Sequence, residues 1–331
     1  VTGREGTERE RTTEPDGTSD VDAEGRIYRI VHRTSYRYPA SASRCRNEAH
    51  LRPRDTPHQR CLASDLVVDP RPASWSDRSD YFGNPVVSFA VDGPFDELTV
   101  TATSSVAVNE RAPWRSTAEA GIPTPSGSGP TPVDIGWQET RDHLSGPLNP
   151  EVLAAREFCF ESPLVSVSPE VRAYAEPTFG AGRSLFDVIT ELTERIFTDF
   201  AYDPGFTTVT TPLQEVLRYR RGVCQDFAHL AIGCFRSMGL AARYVSGYLE
   251  TTAPVGEQRL VGADASHAWP SVFVPAWGWL DVDPTNDKIV GSTYVTTAWG
   301  RDYSDVTPLK GIVFGGGDSH HLDVSVDVTR S

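Results

Sequence analysis

A cysteine, a histidine and an aspartate, in that order along the chain, are the residues best suited to covalent chemistry. Cys224 lies in Arg221-Gly222-Val223-Cys224-Gln225-Asp226-Phe227-Ala228, a pattern that predicts the first turn of a helix directly after a glycine. A helix N-terminus carries partial positive charge and unpaired N–H groups. Both favour thiolate over thiol, and thiolate is the nucleophile. The same N–H groups could receive an oxyanion. Ala228, Ala231 and Phe235 share the helix face of Cys224, so the helix can pack while its tip stays at a cleft. A lone cysteine is most often an inert buried thiol, so a nucleophile also needs a base. Arg218, Arg220 and Arg221 precede it, better placed to complement the C-terminal dipole of the preceding helix than to tune the thiol.

Two histidines compete for the base. His229 is near in sequence, but five helical residues turn the chain by about 500°, which faces it about 140° away from Cys224. It reads as a structural histidine. His267, in Ser266-His267-Ala268-Trp269, enters a strand. The next strand, Trp279-Leu280-Asp281-Val282-Asp283, follows a turn around Pro275-Ala276-Trp277-Gly278. A hairpin centred near residue 275 sets His267 and Asp283 opposite or nearly so. A carboxylate there can hold the imidazole tautomer and stabilise its charged form. Asp283 also precedes Pro284, where an aspartate commonly caps a turn.

These residues need elements to hold them. Ser168-Pro169 reads as an N-cap with Pro at the first helical position, and Ser184 caps a helix with Leu185, Val188, Leu192 and Ile196 on one stripe. Thr211-Pro212-Leu213-Gln214 reads as a capping box opening a helix to about Arg220. The helix from Cys224 stops near Met238 at Gly239. Strand patterns follow over 243–250, 267–274, 279–282 and 322–328, so residues 151–331 read as one α+β domain with helices first and an antiparallel sheet after. Earlier, Tyr28, Ile30, His32, Thr34, Tyr36 and Tyr38 share one parity, and strand-like runs recur at 66–68, 86–91 and 97–108 around a turn at 80–84. Residues 26–112 therefore read as a β-sandwich or barrel. Residues 1–25, almost without apolar side chains, read as a disordered acidic tail, and the Pro/Gly/Ser-rich residues 113–150 as a linker.

Composition narrows the function. A formal charge of −14 argues against nucleic acid. No run approaches about 18 apolar residues, which argues against a membrane span, and the polar N-terminus lacks an apolar signal core, so the expected location is cytoplasmic. Five cysteines, odd in number and widely spaced, argue against a disulfide framework or zinc site. Gly315-Gly316-Gly317-Asp318-Ser319-His320-His321 reads as an exposed turn rather than a metal site.

Gly222-Val223-Cys224, Ser266-His267-Ala268-Trp269, and Gly278-Trp279 through Asp283-Pro284-Thr285 resemble, in order and spacing, the three signature blocks of the transglutaminase-like superfamily. Ala201-Tyr202-Asp203-Pro204-Gly205, Asp226-Phe227-Ala228-His229-Leu230 and Ala242-Arg243-Tyr244-Val245-Ser246-Gly247-Tyr248 resemble its bacterial branch. The resemblance is dense over about 184–290. Residues 26–112 are similar, more loosely, to the β-rich N-terminal region that accompanies this branch. It implies a papain-like α+β core with Cys224 as nucleophile, His267 as base and Asp283, rather than Asp281, as its orienter. It implies a peptide or protein substrate, by analogy a peptide-ligating partner, and either hydrolysis or transamidation. No acidic calcium loop matches, so no metal or cofactor is carried over. Nor do the family's gating tryptophans: Trp269, Trp277 and Trp279 read as cleft-wall packing. A non-catalytic scaffold that keeps the fold, and an arylamine-type acyltransferase, are the competing readings.

Overall fold

The structure, a computed structural model, describes residues 25–110, 135–147, 149–250 and 266–331. Residues 1–24 of the expected tail and 113–134 of the expected linker lie outside them. Strand β1 (Arg26–Ala49) buries Tyr28, Ile30, His32 and Thr34 on the parity its sequence shows. It pairs antiparallel along its length with β4 (Pro85–Val108), which joins the two runs 86–91 and 97–108 into one strand. Strands β2 (Gln59–Asp69) and β3 (Ser74–Ser79) pair in succession with the other edge of β4. Register shifts between Arg37 and Arg44 bend the long strands. Residues from both halves, among them Ala42, Cys45, Val87, Phe89, Leu98, Val100 and Ala102, then share one core. The sandwich is one sheet folded over on itself.

Helices follow: α1 (Trp137–Ser145), α2 (Pro150–Arg156), α3 (Pro169–Ala175) and α4 (Leu185–Asp199). Helix α1 occupies a stretch expected to be linker. Its polar composition hides a buried stripe of Trp137, Thr140 and Leu144. The Ser168 and Ser184 side chains accept from Val171 and Asp187 N–H, the N-caps expected of them. The capping box expected at Thr211 does not form. Helix α5 (Leu213–Tyr219) starts after Pro212, and the Thr211 hydroxyl accepts from Thr208 N–H instead. Strands β5 (Ala201–Tyr202) and β6 (Arg221–Gly222) make a short parallel pair just before α6 (Cys224–Ser237).

A five-stranded sheet comes next, built from β7 (Ala242–Leu249), β8 (His267–Val274), β9 (Gly278–Asp283), β10 (Lys288–Ile289) and β11 (Tyr294–Gly300), in the order β10-β9-β8-β7-β11. Phe227, Leu230, Ala231, Cys234 and Phe235 of α6 share the main core with Ala268, Val272, Leu280 and Val282 of this sheet.

After the short helix α7 (Tyr303–Val306), the last strands leave this half. Strands β12 (Leu309–Gly315) and β13 (His321–Arg330) pair with β1, completing the first sheet rather than the second. The domain expected over 151–331 therefore stops short of residue 309 in space. A strand's partner depends on long-range packing that its own periodicity does not encode. No helix among the described residues is long and apolar enough to cross a membrane.

Candidate functional site

Cys224 is the first residue of α6, preceded by an extended Val223 (φ −119°, ψ 179°). Asp226 sets this start: its Oδ2 accepts from Val223 N–H at 2.8 Å and from the Thr207 hydroxyl at 2.6 Å. Almost fully buried, it clamps the preceding loop to the helix tip, a role that its sequence alone did not assign. Burial, opposed by these two hydrogen bonds, pushes its carboxyl above the ordinary range. Gly222 makes room for it, since a Cβ there would meet the Asp226 side chain at 2.7 Å. Cys224 itself is partly exposed, and none of the five cysteines is in a disulfide.

His267 opens β8, paired with Gly247 of β7. A Cβ on Gly247 would meet the Val295 carbonyl at 2.1 Å and the Trp269 ring at 2.5 Å. Glycine is therefore required for β11 and Trp269 to close on β7 here. The β8–β9 ladder pairs Ser271 with Asp281 and Val274 with Gly278, so the hairpin centres on residue 276. Positive φ at Ala276 and Gly278 shapes this turn. Continued to Asp283, that register sets it opposite Trp269, two positions from His267 on the same face. The diagonal contact is made directly: His267 Nε2 lies 2.9 Å from Asp283 Oδ2, with both side chains buried.

Asp283 contacts both His267 and the turn that follows it. Its Oδ1 accepts from Thr285 N–H at 2.9 Å, capping the turn at Pro284. Its Oδ2 also accepts from Asn286 Nδ2 at 2.7 Å and from the Tyr294 hydroxyl at 2.8 Å. Burial opposes its charge, but the charge and hydrogen bond of His267, then Asn286 and Tyr294, hold it below the ordinary carboxylate range. Burial likewise opposes charge on His267. Asp283 and, after it, Cys224 more than offset this and raise the imidazole to about 10. With Nε2 on Asp283, Nδ1 is buried with no hydrogen-bond partner among the described residues. It is the ring atom available to trade a proton with the thiol.

His229 does not join them. Its Nε2 accepts from Tyr303 N–H at 3.1 Å, and burial lowers it to about 4, a neutral structural role. Of the three tryptophans, Trp269 lies beside the pair, its ring 6.1 Å from His267 and edge-on to Tyr294 at 5.4 Å. Trp279 packs on Phe158 and Phe273, and Trp277 sits in the hairpin turn. Asn286 had a local signal, three residues past Asp283 in one turn. Tyr294, from a strand the periodicity did not reveal, had none. Among the described residues no cluster of three His, Cys, Asp or Glu side chains could hold a metal.

A helix-tip thiol, a strand-borne imidazole and a carboxylate bound to it, on helices against an antiparallel sheet, define a papain-like α+β core joined to a strand-rich module. Residues 172–284 match the family model described as transglutaminase-like superfamily, and residues 28–107 that of the bacterial transglutaminase-like N-terminal region. An uncharacterized protein of Mycobacterium tuberculosis is 43% identical over 306 residues, 91% of this chain and 92% of its own length. The chain belongs to the transglutaminase-like superfamily. A protein-glutamine gamma-glutamyltransferase of Pseudomonas aeruginosa is 39% identical over 126 residues, 36% of this chain but 18% of its own. The structure of a proposed cysteine protease from Cytophaga hutchinsonii shares the fold with a TM-score of 0.69 at 20% identity, covering 93% of this chain and 91% of its own.

Proposed function

We propose that the protein is a cysteine-dependent amide hydrolase or transamidase acting on peptides or protein side chains, with Cys224, His267 and Asp283 as its catalytic triad. The observation that carries this is the buried His267–Asp283 pair, whose imidazole is raised by both Asp283 and Cys224 and keeps Nδ1 unbonded. The Cys224 thiolate attacks the amide carbonyl, and backbone N–H groups at the start of α6 receive the oxyanion. As the C–N bond breaks, the His267 imidazolium gives its proton to the departing amine or ammonia, leaving a thioester. Water then releases the acid, or a second amine takes the acyl group. Family membership and the relatives named above support acyl chemistry on an amide and leave both second steps open.

The test is Cys224→Ala beside wild type, read by ammonia release and amine incorporation on glutamine peptides and by cleavage of a peptide library. Equal behaviour of the two proteins in all three assays refutes the proposal. A non-catalytic scaffold instead predicts that a thiol probe labels Cys224 no faster than Cys234, which is fully buried and raised by that burial to about 12. Acetyl transfer to an arylamine would favour the arylamine reading.

A further inference from the structure

We propose that Tyr294 is a positioning residue for the His267–Asp283 pair, delivered by a strand that the N-terminal sheet holds in place. This rests on the reading of Cys224, His267 and Asp283 as a catalytic set. The Tyr294 hydroxyl donates to Asp283 Oδ2 at 2.8 Å, the same oxygen that faces His267 Nε2 at 2.9 Å. Asn286 also donates to it but belongs to the same turn as Asp283 and moves with it. Tyr294 comes from β11, across the sheet, so its bond ties the carboxylate to a separate element. The ring is fixed as well, edge-on to Trp269 at 5.4 Å and 6.4 Å from the His267 ring. Burial, then the Asp283 charge, drive the phenol's ionisation well above its ordinary range, so it remains an O–H donor.

Strand β11 ends the five-stranded sheet, and two amide side chains of the N-terminal module occupy its outer edge. Gln59 accepts from Thr296 N–H at 2.8 Å and donates to the Thr296 carbonyl at 2.7 Å. Asn84 does the same at Trp299, at 2.9 and 2.8 Å. Tyr28 donates to the Ser292 carbonyl at 3.0 Å, two residues before Tyr294. Each amide reproduces the donor–acceptor pair of a neighbouring strand, so the first module substitutes for a sixth strand behind Tyr294.

Tyr294→Phe removes the hydroxyl and keeps the ring on Trp269. Asp283 then shares its charge with one donor fewer, and that charge acts more strongly on His267. The probe is iodoacetamide, with the alkylation rate of Cys224 followed in the full chain from pH 4 to 11. The upper inflection, where His267 gives up its proton, is expected to move to higher pH by roughly half a unit or more. Gln59→Leu, which loosens β11 and leaves Tyr294 intact, moves it the same way by less. A tyrosine that only stabilises the fold would lower the melting temperature and leave the inflection where it is. An inflection unmoved in both variants, with Asp283→Asn still shifting it, overturns the positioning role alone. Wild-type Cys224 no more reactive than Cys234, with no dependence on Asp283, overturns the catalytic reading and this proposal with it.

Discussion

Replacing Asp283 by Asn tests the heart of the site, because the change is nearly isosteric and the structure specifies what it breaks. Asp283 accepts four hydrogen bonds, three on Oδ2 and one on Oδ1. An amide offers one acceptor end. If its oxygen faces His267, its NH₂ opposes Thr285 N–H; if reversed, it opposes three donors. Either way a buried donor loses its partner, a cost of about 1–3 kcal/mol. The larger effect is electrostatic. His267 stands at about 10 against an ordinary 6.5 because Asp283 and Cys224 outweigh burial. At 1.36 kcal/mol per pH unit the net shift is on the order of 5 kcal/mol in favour of imidazolium, and Asp283 and Cys224 together supply that much and the opposing burial besides. With a neutral partner, burial prevails and the imidazole titrates far lower. On the proposed amide chemistry, turnover is expected to fall by about 10²- to 10⁴-fold, as when an orienting carboxylate is neutralised in a triad. A pH-dependent stability goes with it. A raised histidine stabilises the fold fully below its unfolded pKa of about 6.5, and that contribution is lost as pH climbs toward 10. Melting temperatures over that interval should decline in wild type through this pair and less steeply in Asp283→Asn. Turnover within tenfold of wild type, together with parallel melting curves, would refute the reasoning.

Three further substitutions probe the supports. Asp226→Ala frees Val223 N–H and Thr207 at once and should cost about 1–3 kcal/mol in denaturant unfolding, with slower alkylation of Cys224 as the helix tip loosens. Asn84→Leu leaves the Trp299 N–H and carbonyl without their partner and removes a ligand of Arg54, so about 2–4 kcal/mol should be lost by the same measure. Gly247→Ala drives a methyl into the Val295 carbonyl and the Trp269 ring. It should lower the melting temperature sharply, and near-wild-type stability would show that β11 can retreat freely.

Much of the site was legible because its signals are local. A glycine before a cysteine at a helix start, a histidine entering a strand and an aspartate before proline are short patterns, and one hairpin brings the last two together. The exact register was not, since it depends on the backbone of Ala276 and Gly278, which shifts the centre from 275 to 276 and turns a direct pair into a diagonal one. Tyr294 was invisible because its relation to Asp283 passes through the stacking order of the sheet. Helix α1 escaped notice because three buried side chains outweigh a polar, glycine-flanked composition. Thr211 looked like a cap but spends its hydroxyl on Thr208, a local alternative that competes with helix capping.

Strand β1 is paired from both ends of the chain, with β4 on one side and with β12 and β13 on the other, and Thr329 bonds back to Arg29 across 300 residues. The transglutaminase-like core is thus spliced into the first module as a guest into a host. During synthesis β1 and β4 emerge well before β12 and β13, so the outer edge of β1 stays open until those two strands follow. A chain truncated after α7 would carry every residue of the proposed triad on a host sheet with its edge unsealed, exposed to pairing with other chains. Residues 309–330, far along the chain from β1, therefore act as a latch that seals the edge of the host sheet.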